Sequence, residues 1–113
     1  MRKSLVALFL LVAALASQVP QVLEHYNCQG MSPDGEYQFP LTVKVQGDNY
    51  LFSWADDLVI GLGIRQDDYL AVAFVNTLIG KVGVVQYQVR PGQLIGKWAG
   101  GGGKVYQELC LGG

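Results

Sequence analysis

The stretch Leu58-Val-Ile-Gly-Leu-Gly-Ile-Arg-Gln66 carries two glycines one residue apart inside an apolar run. Ahead of a helix, such a pair opens a dinucleotide-binding loop, where the bare backbone approaches a pyrophosphate. Inside a strand, the same pair leaves two gaps on one face for neighbouring side chains to fill. The surroundings decide between the two. Gln66 stands where the third glycine of G-x-G-x-x-G belongs, no helical period follows, and no βαβ unit frames the run. The stretch reads as a strand.

Working outward, short runs rich in Val, Ile, Tyr, Phe and Trp alternate with turn residues about every ten positions. The turns are SPDGE (32–36), QGDN (46–49), ADDL (55–58), QDDY (66–69), NTLIGK (76–81), RPGQ (90–93) and AGGGG (99–103). Eight strands lie between them, over 24–30, 37–46, 49–55, 58–66, 69–76, 82–90, 93–99 and 104–111. Loops this short allow only antiparallel hairpins. The fold class is therefore all-β: an up-and-down antiparallel meander of about eight strands, the number at which a small sheet closes into a barrel.

Taking Gly47-Asp48, Asp56-Asp57 and Asp67-Asp68 as two-residue turns sets the register. Trp54 then meets Leu41 and Val59, Phe52 meets Val43 and Gly61, Tyr50 meets Val45 and Gly63, and Gly61 and Gly63 meet Phe74 and Val72. Across RPGQ, Val89 meets Leu94, Tyr87 meets Gly96 and Val85 meets Trp98. One face thus collects the lumen lining, with Tyr50, Phe52, Trp54, Phe74, Tyr87 and Trp98 as its rings and Leu41, Val43, Val45 and Leu70 among its aliphatics. Gly61, Gly63 and Gly96 each stand opposite a ring, which is how glycine lets a sheet bend while a neighbour covers the bare backbone. Phe52 and Phe74 are expected over Gly61, and Tyr50 over Gly63.

The chain begins MRKSLVALFLLVAALASQ, with Arg2 and Lys3 ahead of an apolar stretch and Ala14-Leu15-Ala16 as a small-residue cleavage pattern. This predicts a secretory signal peptide over 1–16, one barrel domain over 17–113, and a secreted or periplasmic protein. Removing the signal leaves 8 − 2 = 6 basic against 9 acidic residues, a net charge of −3. A mildly acidic domain without Lys/Arg clusters offers nucleic acid no footing, and no membrane segment remains after cleavage. In an oxidising compartment Cys28 and Cys110, near the two ends of the exported part, are expected to form a disulfide, and barrel closure would bring their strands together.

Chemical motifs are sparse. GGGGKVY (100–106) lacks the Ser/Thr and the upstream glycine of a phosphate loop. His25 is the only histidine, and neither Ser32 nor Ser53 has the setting of an activated nucleophile. One histidine and two bonded cysteines serve zinc poorly. Asp34, Glu36 and Asp56-Asp57 share one rim of the meander, and Asp48 and Asp67-Asp68 the other. Calcium or two-carboxylate glycoside hydrolysis would use such groups, but aspartate favours turns for its own reasons. No enzyme, metal or cofactor is expected. The outward face of the fourth and fifth strands carries Leu58, Ile60, Leu62, Ile64, Ala71 and Ala73, which predicts association, most simply between like subunits.

The meander, Leu94-Ile95-Gly96-Lys97-Trp98 and the lumenal rings resemble calycin-type small barrels of the avidin and lipocalin kind. The spacing Tyr50-x-Phe52-x-Trp54, Gly61-x-Gly63, Val85-x-Tyr87-x-Val89, Gly92-x-Leu94-x-Gly96-x-Trp98 and Glu108-x-Cys110 is similar to small exported bacterial proteins loosely labelled fibronectin-binding. The resemblance covers about residues 35 to 111 and implies a small barrel without carrying over any site residue. Two functional expectations follow. In one, the barrel is a secreted non-enzymatic module that holds a small apolar or amphipathic ligand among the six rings. In the other, the lumen is a packed core, and the barrel acts through its surface by self-association over 58–66 and 69–76.

Overall fold

The computed structural model describes residues 19–113, and the expected signal peptide over 1–16 lies outside the described residues. Eight antiparallel strands follow in chain order: β1 (His25–Ser32), β2 (Gly35–Gln46), β3 (Asn49–Trp54), β4 (Val59–Gln66), β5 (Tyr69–Asn76), β6 (Val82–Arg90), β7 (Gln93–Ala99) and β8 (Tyr106–Gly112). Each pairs with the next, and β8 pairs with β1, so the meander closes into a barrel. Cys28 sits directly opposite Cys110 across that closing pair, and the two form a disulfide with a Cα–Cα distance of 3.9 Å.

The register is the one that two-residue turns dictate. Trp54 pairs with Leu41 and Val59, Phe52 with Val43 and Gly61, Gly63 with Tyr50 and Val72, and Tyr87 with Gly96. Aspartate makes these turns by tolerating the left-handed backbone region: Asp56, Asp57 and Asp67 have φ of 53°, 69° and 54°. The Asp57 carboxylate accepts a 2.6 Å hydrogen bond from the Ser53 hydroxyl, whose oxygen in turn accepts from the Asp57 N–H. Turn formation therefore occupies Ser53 and Asp57.

Strand ends differ from expectation at the first hairpin, at the β3–β4 turn, which takes in Ala55 and Leu58, and at the last strand. Pro33-Asp34 alone makes the turn, so Ser32 pairs with Gly35 and both flanking strands lengthen. The last strand starts at Tyr106 rather than 104 because its final partner is Trp98, beyond which the glycine run continues the loop. Val45, expected inside, is 60% exposed. It lies on the inward side of β2 but at the very end of the barrel, past the level at which the opposing strands stop.

The hairpin turns fall at two ends. One end carries the turns β1–β2, β3–β4, β5–β6 and β7–β8; we call it the ring end. The other carries the remaining turns and the C-terminus, and residues 19–24 fold across it. Arg65 donates to the Pro20 carbonyl at 2.7 Å, the Leu23 N–H donates to the Tyr26 hydroxyl at 2.7 Å, and Val22 packs against the core. Between the ends, Tyr26, Leu41, Val43, Phe52, Trp54, Leu70, Val72, Val85, Tyr87, Val89 and Leu94 are buried with the disulfide. Side chains thus fill the lumen, as the width of an eight-stranded barrel permits.

Candidate functional site

The interior is organised by rings lying over glycines. One row runs Tyr37–Gly30–Glu108–Gly96–Tyr87 across strands β2, β1, β8, β7 and β6. A Cβ on Gly96 would fall 2.6 Å from the Tyr87 ring, and one on Gly30 would overlap the Tyr37 hydroxyl. Without those Cβ atoms, both rings lie flat over backbone and converge on the residue between the glycines. Glu108 accepts a hydrogen bond from the Tyr37 hydroxyl at 2.8 Å and a second from the Tyr87 hydroxyl. Both donors are neutral, and the Cys110 sulfur lies 3.5 Å from the carboxylate oxygen that Tyr87 reaches.

Burial raises the Glu108 carboxyl above its usual pKa, and the hydrogen bonds from Tyr87 and Tyr37 oppose this in part. Burial and the neighbouring carboxylate likewise push both tyrosine hydroxyls up. Sequence reading missed Glu108 as a site residue. The signal was present in strand parity: Cys110 faces inward, so Glu108, two residues earlier, must do so too.

The six rings expected to line the lumen divide by level. Phe52 stacks on Tyr87 with centroids 5.8 Å apart and on Trp54 at 5.3 Å. Trp54 meets Phe74 edge-on at 6.2 Å, and Phe74 meets Trp98 edge-on at 6.0 Å. Tyr50 stands apart, half-buried toward the opposite end. The ladder continues into rings the sequence reading left out, since Trp98 stacks on Tyr106 at 5.0 Å and meets Tyr37 edge-on, and Tyr37 stacks on Phe39. Tyr37, Phe39, Phe74, Trp98 and Tyr106 are only half-buried. They gather toward the ring end, where Tyr106 on β8 and Trp98 on β7 lie one inward position above Glu108 and Tyr37 shares its row. The indole Nε1 atoms of Trp54 and Trp98 are buried without a hydrogen-bond partner.

The glycines of the opening stretch are covered differently from expectation. Val72 and Trp54 fill the space beside Gly61, and Val72 and Phe52 that beside Gly63. Phe74 instead lies over Gly83. Phe74 has a glycine partner on each side, Gly61 on β4 and Gly83 on β6, and covers the second, while Trp54 and Phe52 reach the glycines diagonal to them, as long side chains on neighbouring strands can.

The outer face of β3–β6 is apolar across four strands. Leu51, Leu62, Ala73 and Val84 form one transverse row, and Ile60, Val75 and Val82 the next. Ile60, Leu62, Ile64, Val82 and Val84 are between 41% and 68% exposed. A furrow floored by Ala73 runs between the Leu62 and Val84 ridges. Of the residues expected here, Ile60, Leu62, Ile64, Ala71 and Ala73 lie on this face. Leu58 does not: it is half-buried in the β3–β4 turn, where its carbonyl accepts from Thr77.

Cys28, Glu108 and Cys110 cluster closely enough to suggest a metal, but both sulfurs are consumed in the disulfide and neither can act as a thiolate ligand. No protein-family model, curated protein or solved structure matches the chain.

Proposed function

We propose that this protein is an exported, non-enzymatic interaction barrel that acts through its outer β3–β6 face, with a second copy of itself as partner. The observation that carries the reading is the exposed apolar face. With strands about 4.8 Å apart and a rise of about 3.3 Å per residue, four strands and three rows of side chains cover roughly 400 Å². That matches the largest patches on monomers, which are often functional, and with a polar rim it approaches the roughly 600 Å² per partner of small specific interfaces. The residues on either side, Lys44, Tyr69 and Gln86, can supply that rim. A two-fold arrangement suits the face because ridge and furrow are both present on one copy. The filled lumen supports the reading, since it leaves the surface to do the binding. The disulfide is in keeping with an oxidising compartment.

Sedimentation velocity of the mature protein from micromolar to near-millimolar concentration tests this. Dimers should accumulate with concentration, and Leu62→Lys with Val84→Lys should abolish them without lowering the melting temperature. A parent protein that stays monomeric throughout refutes the reading.

A second reading, a small amphipathic ligand, is favoured by the contrast between the two ends. Residues 19–24 cover one, while the other presents five half-buried rings. Such a ligand would sit at the ring end, above the packed lumen.

A further inference from the structure

We propose that the ring end binds an organic cation, an alkylammonium or quaternary ammonium group, with Glu108 as its counter-charge. The inference rests on the second reading above and names its ligand class.

Trp98 is the centre of the site. Tyr106 stacks on it at an interplanar angle of 30°, while Phe74 and Tyr37 stand to it at 72° and 65°. These rings contact one another but each is only half-buried, and the ring surface left open to solvent is where a cation would meet a negative ring face. A purely apolar ligand would have no use for the second feature, the carboxylate beneath. Glu108 is the one charged side chain buried among the described residues. It lies two residues from Tyr106 on β8 and pairs across strands with Gly96, two residues from Trp98 on β7, and the Tyr37 hydroxyl donates to it directly.

A buried carboxylate is costly without a cation. The basic side chains of the barrel lie elsewhere. Lys44 and Lys97 face outward, and Lys81 and Lys104 are in exposed loops. At the far end Arg65 holds Pro20 and Asp67, Arg90 reaches Gln88, and His25 is exposed. Tyr37 and Tyr87 solvate Glu108 but cannot neutralise it. An incoming ammonium supplies the missing charge while its alkyl groups cover the rings. The surrounding rim favours its approach, with Asp34, Glu36, Asp56 and Asp57 against Lys81 and Lys104, a balance of 2 − 4 = −2.

The test uses choline and its neutral isostere 3,3-dimethyl-1-butanol, titrated into the oxidised mature protein and read by tryptophan fluorescence and by the indole N–H resonances of Trp98 and Trp54. Choline should bind at least about tenfold more tightly than the isostere. Its affinity should rise with pH as Glu108 ionises, while that of the isostere stays flat. Glu108→Gln should bring the ratio near one, and Trp98→Ala should weaken both compounds. Should Glu108→Gln fail to fold, the pH dependence in the parent protein decides alone. Equal binding of the two compounds, or a choline affinity independent of pH, overturns the cation assignment and leaves a neutral ligand at the ring end. If neither compound shifts the Trp98 signals, the cation assignment and the ring-end reading both fall.

Discussion

Gly96→Ala is the sharpest test of the interior. The added Cβ would lie 2.6 Å from Tyr87 Cε1 and 2.7 Å from Cδ1, against an ordinary carbon contact of about 3.5 to 4.0 Å. The ring has nowhere to go. It is fully buried, parallel to Phe52 within 7°, and tied at its far end to Glu108. Overpacking of this kind costs about 1 to 3 kcal/mol. If the ring tips to relieve it, Glu108 loses a donor while still buried, about 1 to 3 kcal/mol more. Replacing glycine within a strand returns about 0.5 to 1 kcal/mol. The net expectation is a loss of about 2 to 4 kcal/mol, or roughly 10 to 25 °C in melting temperature for a domain of this size. Urea denaturation and near-UV circular dichroism melts under oxidising conditions measure it. Gly102→Ala is the control, because nothing lies within 4 Å of its added Cβ, and it should stay within about 0.5 kcal/mol of the parent. In a Tyr87→Leu background, Gly96→Ala should cost far less, since the ring it strikes is gone. A Gly96→Ala protein with the parent's urea midpoint, or a cost undiminished in the Tyr87→Leu background, would refute the ring-over-glycine account.

Glu108 makes stability depend on pH in a stated direction. Burial raises its folded-state pKa above the unfolded value of 4.5, so the folded protein holds the proton more tightly. Its contribution is fully present below pH 4.5 and is lost as pH rises through the folded pKa; Glu108→Gln should flatten that slope in urea midpoints taken from pH 4 to 8. The Cys28–Cys110 bridge spans a sequence separation of 82, for which chain entropy gives about 4.5 kcal/mol. Cys28→Ser with Cys110→Ser should therefore lower the melting temperature by well over about 10 °C, and an unchanged melting temperature would show the bridge to be dispensable.

Legibility followed the range of the interaction. Paired aspartates and glycines at turns, period-two alternation and short loops are local, and the register from Leu41 to Phe74 and that from Val85 to Trp98 follow from them, while the longer loop over 76–81 left the pairing of β5 with β6 to the structure. The disulfide followed from closure. What failed was finer than register. Val45 obeys inward parity, yet it lies past the end of the packed lumen. Phe74 is paired with Gly61 on one side and Gly83 on the other and covers Gly83, a choice between two partners that spacing along β5 does not make. Leu58 belongs to an apolar run, yet its carbonyl and side chain serve the turn.

By itself, the sequence determined which strand faces are inside and out, where the chain turns and, across the two-residue turns, which residues oppose one another, because each of these depends on spacing along a strand. Only the tertiary structure decided that Tyr37 and Tyr87 meet over Glu108, that residues 19–24 cover one end, and that the rings of β2, β5, β7 and β8 gather at the other. Those are meetings between strands that closure alone brings together. Gly61-Leu62-Gly63 shows both sides of this division: its spacing identifies a strand, while the closed barrel sets Val72, Trp54 and Phe52 beside it and leaves Leu62 on an apolar outer face.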